Sequence, residues 1–511
     1  MRHFVFIIVL LFNFGNIFSQ GHYWVFFTDK AGVSFNPYQY FDKKAIERRI
    51  REGISLYDYS DFPVNQRYVD SVAKYVEGIA YVSRWFNAVA VHADEKQIER
   101  IKTLPFVDSI RPIYIPQVEP CFWYDTTLSY REFEILKWQT DTLGSRVLHN
   151  HKLTGKGVRI AVFDIGFKGV DKLKEFEHLH ILKTYDFTKK KDFVYYYNNH
   201  GTMVLSCIAG HIGNRYGGLA PDAEFLLAKT EVRGEPFSEE VNWEAAAEWA
   251  DKNGADIINS SLGYTYQRYY PYQMDGNTSL VAYAANIAAR KGIIVVNSIG
   301  NEADTRWKVL ATPADADSVF SVGGIAYNTG LHIDFSSYGP NARCVPKPDV
   351  VAPAEVIAAS PTGWKLVQGT SFSAPLITGY IACIKQAFPH KHAWQIKNIV
   401  RQSASLYPYY DYAHGYGVPN AKNIFSTDTL KHDSLFSITY DDSIVFHFSY
   451  FSKNGGTYLF YKITVNGCIR EYYVVDIYSP EYSIPYPDYN DFVLEAFYHG
   501  TYYKKHIFLN R

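Results

Sequence analysis

Val158-Arg159-Ile160-Ala161-Val162-Phe163-Asp164-Ile165-Gly166 is an almost unbroken apolar run that stops at an acid. Apolar residues without alternation over this length describe a strand buried on both faces, as in a parallel sheet. An aspartate at the carboxyl end of such a strand stands where open α/β sheets place ligands and chemistry. Outward from it, residues 224–230, Asp256-Ile257-Ile258-Asn259 and residues 293–296 are further buried runs. Helix-spaced stretches separate them, one starting at Ser238 as its cap with Glu239 and Glu240 in the first turn, another over residues 278–290. The alternation predicts an α/β domain, a parallel sheet flanked by helices.

Two more stretches stand at the edges of such elements. In Asn199-His200-Gly201-Thr202-Met203-Val204-Leu205-Ser206 a histidine opens a helix-spaced run through Val204, Ile208 and Ile212. Gly369-Thr370-Ser371-Phe372-Ser373-Ala374-Pro375 leads into Ile377, Ile381 and Ile384. Ser371 is thereby placed at the mouth of a helix, where unpaired N–H groups and the dipole favour a developing negative charge. Read singly, each has a plain structural meaning: an N-cap serine, a core histidine, a capping aspartate. Read together, Asp164, His200 and Ser371 follow one of the known chain orders of the Ser-His-Asp triad.

These motifs resemble those of the subtilisin-like serine proteases, the subtilases. Gly369 to Pro375 is similar to the family's Gly-Thr-Ser-x-x-x-Pro, His200-Gly201-Thr202 to its histidine motif and Phe163-Asp164-Ile165-Gly166 to its aspartate motif. Ile299-Gly300-Asn301-Glu302 looks like the stretch carrying the oxyanion asparagine, and Asn259-Ser260-Ser261-Leu262-Gly263 like the one lining the substrate groove. The resemblance implies catalytic roles for Asp164, His200, Ser371 and Asn301, and substrate-backbone contacts for Ser261, Leu262, Gly263 and Gly300. It implies a subtilisin-like sheet, a serine endopeptidase acting through an acyl-enzyme, and polypeptide substrates. The alternative is an inactive or latent scaffold acting as a secreted binding protein. No cofactor is required by the expected chemistry; calcium is possible, but no metal ligands are assigned. Three departures stand out. Met203 stands where the family often has a second histidine, and Phe372-Ser373-Ala374 replaces a smaller set. Ile299, before Gly300, either narrows the pocket beside the scissile bond or points into the core.

The 511 residues suffice for about three domains. Hydrophobic residues make up 47% and charged residues 20%, an ordinary globular balance. A net charge of −1 gives no reason to expect nucleic acid as a partner. Residues 1–20 carry an early arginine and a short apolar core, which reads as a signal peptide and a secreted or cell-surface product. Residues 21–120 read as a small α+β, ferredoxin-like unit whose position resembles the subtilase propeptide, an intramolecular inhibitor. Its expected strands lie near residues 23–27, 85–91 and 107–113. Its expected helices lie at 43–51, 66–75 and 94–104, the last capped by Asp94. Residues 121–135 are expected to form an exposed connector, 136–427 the peptidase domain and 428–511 a β-rich domain. In the last, Gly455-Gly456 and Asn466-Gly467 read as hairpin turns. Its end resembles carboxy-terminal secretion modules of Bacteroidetes proteins; stabilising, substrate-positioning and attachment roles stay open. Five cysteines, Cys121, Cys207, Cys344, Cys383 and Cys468, neither require nor exclude a disulfide; Cys207 and Cys383 read as small core residues. Nothing in the sequence fixes the oligomeric state.

Overall fold

The computed structural model describes residues 21–113, 128–212, 215–232, 236–266, 268–426 and 435–509. The expected signal peptide, Cys121 and residues 121–127 of the expected connector lie outside the described residues. The chain divides into two compact units, Met1–Phe35 with Tyr59–Tyr114 and Asn36–Asp58 with Ile115–Arg511.

The first unit holds an antiparallel sheet in the order Gly78–Ser83, Ala88–Ala93, Gly21–Phe27, Val107–Ile113. The helices Gln66–Ala73 and Glu95–Lys102 each connect one strand to the next but one, giving the split βαβ order of a ferredoxin-like unit. Val25, Val89 and Val91 from the strands meet Val69, Val72, Ile98 and Ile101 from the helices in its core. Asp94 caps the second helix in a reciprocal box with Gln97. The strand Gly78–Ser83 has no counterpart in the sequence reading, and Ala88–Ala93 begins later than expected. Residues 84–87 form the turn between them, with Asn87 at φ 50. Local periodicity could not separate a strand from its hairpin turn here.

The second unit is built on a seven-stranded sheet. Its order is Val350–Pro353, Phe320–Ile325, Ile294–Ser298, Ile257–Ser260, Arg159–Asp164, Glu224–Lys229, His180–Asp186, and the neighbours pair in parallel. This is the parallel sheet that the buried runs predicted. Ile160 and Val162 join one core with Val204, Ile208, Ile377 and Ile381, from the helices His200–Ala209 and Thr370–Ala387. From the other face Phe163 meets the Trp243 ring edge-on at 5.5 Å, on the helix Pro236–Lys252. That helix starts two residues before Ser238, so Ser238 lies in its first turn rather than capping it. Proline tolerates a first-turn place because its missing N–H has no partner there anyway.

Residues 130–135 are not the exposed connector expected of them. They belong to the helix Tyr130–Asp141, opened by a capping box of Ser129 and Glu132. Ile135 and Leu136 are buried, and Gln139 donates to the Gly217 carbonyl at 2.8 Å while accepting from the Ile357 N–H at 2.9 Å.

The carboxy-terminal strands form two antiparallel sheets. Phe436–Tyr440, Ile444–Phe448 and Glu481–Ile484 make one; Cys468–Asp476, Tyr458–Val465, Asp491–Tyr498 and Thr501–Phe508 make the other. Phe446 and Phe448 face Leu459, Tyr461, Leu494 and Tyr498 in a shared core, which makes a sandwich. Asn466-Gly467 is the expected two-residue hairpin, both residues with positive φ. Gly455-Gly456 is not a hairpin: it lies where the chain crosses from one sheet to the other. The sandwich docks on the peptidase body through Tyr409, Phe460 and Phe497 and through the Cys344–Cys468 disulfide. Lys462 donates to the Tyr410 carbonyl at 2.8 Å and pairs with Glu495 at 2.8 Å. Cys207 and Cys383 are free and buried, as expected; burial pushes the Cys207 thiol up to about 12. Among the described residues, no helix is long and apolar enough to cross a membrane.

Candidate active site

Asp164 ends the strand Arg159–Asp164, which has a neighbour on each side, and is fully buried. His200 is the first residue of the helix His200–Ala209. Its Nδ1 lies 2.9 and 3.0 Å from the two carboxylate oxygens of Asp164. The approach is close enough to demand glycine next to the histidine. A Cβ on Gly201 would stand 2.6 Å from the Gly166 carbonyl oxygen and 2.8 Å from the Asp164 Cβ. Burial works against a charged imidazole, but the facing Asp164 carboxylate and its hydrogen bond outweigh it. The ring therefore holds a proton to higher pH than an ordinary histidine.

Ser371 is the second residue of the helix Thr370–Ala387. Pro375, four residues on, has no N–H to give the Ser371 carbonyl. That carbonyl accepts instead from the Ser261 hydroxyl at 2.8 Å. In return the Ser371 hydroxyl donates to the Ser261 carbonyl at 3.3 Å. The proline thus frees an acceptor that ties the serine residue to the Ser261-Leu262-Gly263 segment. The Phe372 ring, one residue on, lies 5.6 Å from the His200 ring, which sets the histidine beside the head of the serine helix.

Asn301 follows the strand Ile294–Ser298. Its Oδ1 accepts from the Thr370 N–H at 2.8 Å and from the Thr370 hydroxyl at 3.0 Å. Because a backbone N–H can only donate, this fixes which end of the amide is oxygen. The Nδ2 hydrogens are left to donate elsewhere. Gly300 has φ +118, and a Cβ there would stand 2.4 Å from Glu302 Oε2 and 2.8 Å from Ser337 Oγ. Glu302 accepts from the Asn301 N–H at 2.7 Å and from the Ser337 hydroxyl at 3.0 Å. Burial raises its carboxyl above the ordinary range although these bonds oppose it.

Leu262 is nearly buried, and its carbonyl accepts from Asn297 Nδ2 at 2.9 Å; Gly263 follows it, one residue before the Tyr264–Thr312 bridge. Ile299 is fully buried against Leu310 and Ala314, so it belongs to the core. Met203 and Phe372 both pack against the main core. The sequence reading did not single out Thr370 or Ser337 as positioning groups. Thr370 stands beside the nucleophile in its motif, which is a usable signal; Ser337 lies in a distant loop with none. Among the described residues, no cluster of three or more His, Cys, Asp or Glu side chains is placed to hold a metal ion.

A parallel sheet with an Asp-His pair at its carboxyl edge and a serine at a helix mouth beside it defines a serine peptidase of the subtilisin type. Comparison with known proteins agrees. Residues 155–417, just over half of the chain, match the subtilase family model, and residues 22–120 match the Peptidase S8 propeptide domain of Bacteroidota. The chain belongs to the subtilase family. It is 28% identical over 334 residues to M-protease of Shouchella clausii, covering 62% of this chain and 80% of that one. It is 29% identical over 273 residues to Subtilisin Savinase of Lederbergia lenta, covering 52% and 91%. Among solved structures, fervidolysin from Fervidobacterium pennivorans, described as a keratinolytic enzyme related to subtilisin, superposes with a TM-score of 0.57. It covers 94% of this chain and 71% of its own at 17% identity, a likeness of fold.

Proposed function

We propose that this peptidase is a secreted endopeptidase, made as a self-inhibited precursor, that cleaves peptide bonds with Asp164, His200 and Ser371. The observation that carries the reading is the buried Asp164 carboxylate held on His200 Nδ1 at 2.9 and 3.0 Å, on the sheet edge beside the Ser371 helix. With Nδ1–H committed to Asp164, Nε2 is the basic nitrogen. It takes the Ser371 hydroxyl proton as Oγ attacks the substrate carbonyl carbon. The carbonyl oxygen becomes an oxyanion, received by the Asn301 Nδ2–H group and the Ser371 backbone N–H. The imidazolium returns the proton to the departing amine, leaving an acyl-Ser371 ester. Water, deprotonated by His200, then releases the acid. Ser261, Leu262 and Gly263 pair with extended substrate backbone, and Gly300 keeps the wall before Asn301 free of side chain. Backbone pairing reads little of the substrate's sequence, so broad specificity is expected. These steps require no cofactor.

The test compares the mass of the expressed chain with that of Ser371→Ala. Wild type is expected to lose an N-terminal segment, cut near residues 110–140, and to react with a serine-directed probe; the variant does neither. Intact wild-type chains that also leave casein uncut and the probe unreacted would overturn the reading.

A further inference from the structure

The N-terminal region is matched as one propeptide domain, residues 22–120, yet residues 36–58 fall in the same compact unit as the peptidase sheet. Their helix Lys43–Glu52 carries Arg48 and Arg49, both with no exposed surface. Arg49 binds Asp251 in a two-pronged pair, 2.9 Å to Oδ1 and 2.7 Å to Oδ2. Arg48 also pairs with Asp251, and donates to the carbonyls of Ala255 and, at 3.0 Å, of Lys291. Lys291 is the C-cap of the helix Leu280–Arg290, and Ala255 lies just past the end of Pro236–Lys252. One guanidinium therefore serves carbonyls beyond the negative ends of two helices.

The contacts continue around it. Lys44 lies 3.1 Å from Asp256 and donates to the Gly157 carbonyl at 2.7 Å. Arg51 donates to Asp256 at 3.3 Å, Asp42 accepts from Arg159 at 3.1 Å, and Lys291 meets Asp58 at 3.0 Å. Glu52 accepts from the Ala393 N–H at 3.1 and 3.2 Å, at the start of Ala393–Gln402. Gly254 and Gly292 leave the room: a Cβ on them would stand 2.9 Å from the Ala45 nitrogen and 2.4 Å from Glu52 Cγ. Arg159 begins its strand, and Gly157, Asp256 and Lys291 stand just before the first residues of theirs. The triad residue Asp164 is at the other end, about five residues of strand or roughly 17 Å away.

We propose that residues 36–58 are a permanent anchor on the amino-terminal edge of the peptidase sheet, which keeps the N-terminal region bound as a separate chain after the connector is cut. If the segment left, Asp251 would lose both guanidiniums and Asp256 would lose Lys44 and Arg51. Full release would then need further cuts near residues 35–36 and 58–59, where the chain passes between its two units. The proposal rests on the propeptide reading, but its test does not need a working triad.

The full chain carrying Ser371→Ala receives a recognition site for an added protease within residues 114–127. After complete cutting, the mixture is passed at micromolar concentration over a sizing column and the fragments are weighed. The N-terminal fragment is expected to co-elute with the peptidase. With Arg48→Met and Arg49→Met together, its dissociation constant should rise at least about 100-fold and it should elute alone. Separation of the parent fragments, or equal retention in the double variant, would overturn the proposal. Should that variant not fold, Asp42→Ala with Lys44→Ala probes the same face, with about a 10-fold loss expected and no loss overturning it. Amide exchange of residues 43–52 in the cut parent must also stay as slow as before cutting; exchange at unfolded rates would overturn the anchor.

Discussion

The two edges of the central sheet handle charge in opposite ways. At the carboxyl edge one buried carboxylate, Asp164, faces one partly exposed imidazole, His200, and the pair is left with a nitrogen to work with. At the amino edge Asp251 and Asp256 are met by Arg48, Arg49, Lys44, Arg51 and Lys385, with Arg159 and Glu52 around them. The proposed catalytic charge is held by few partners, so the protonation of His200 can change. A charge meant for adhesion is surrounded until none of it can change cheaply.

Substitutions can break that contrast. Ser371→Ala should cut turnover by a factor on the order of 10⁶ while leaving melting temperature and anchor intact, read by peptide hydrolysis and calorimetry. Asp251→Asn should do the reverse. It leaves two buried guanidiniums without their carboxylate, costing on the order of 3–5 kcal/mol of unfolding free energy in urea. In a processed sample, per-site turnover of the molecules that stay folded should hold. Asn301→Ala should lower kcat by roughly 10²–10³ with KM little changed, because its donors act on the oxyanion rather than the bound substrate.

Acidity sharpens the contrast further. The His200 pKa is raised, so a proton occupies the base until the pH passes a point above the ordinary histidine value of 6.5. Below that point kcat/KM should fall about tenfold per pH unit. Asp164→Asn should move this limb to lower pH, since burial alone disfavours the charged ring. Asp256 behaves the other way. Burial would raise its pKa, but Lys44, Lys385, the Arg159 N–H and Arg51 hold it down at about 2. Its contribution to stability is complete above the ordinary value of 3.8 and drains away only as the pH falls toward about 2. Stability curves should therefore weaken there, well below the pH where catalysis fades. The smallest effect is expected from Ile299→Val, a loss of about 0.5–1.5 kcal/mol with kcat/KM unchanged, since the side chain fills core and not pocket.

Much of the carboxyl edge was legible because its signals are local. The apolar run into Asp164, the His-Gly-Thr helix start and the Gly-Thr-Ser-x-x-x-Pro turn each carry their conformation in adjacent residues. The Asn466-Gly467 hairpin was legible for the same reason, as glycine and asparagine accept positive φ. Gly455-Gly456 misled because glycine pairs mark a turn without saying which strands it joins. The helix Tyr130–Asp141 was hidden by the polar residues on its exposed face, which read as connector.

By itself the sequence determined the strand and helix alternation, the order of Asp164, His200 and Ser371, and the helix mouths at His200 and Thr370. Those follow from periodicity, capping and turn chemistry, which act over a few residues. Only the tertiary structure decided that Ser261 accepts the role freed by Pro375, 110 residues from Ser371, and that Cys344 reaches Cys468. It alone showed that Lys43–Glu52, a charged helix suited to water, spends its arginines on Asp251 some 200 residues away. Such pairings depend on which surfaces the whole fold brings together. A buried charge and a solvated one look alike until the opposing charge is in place.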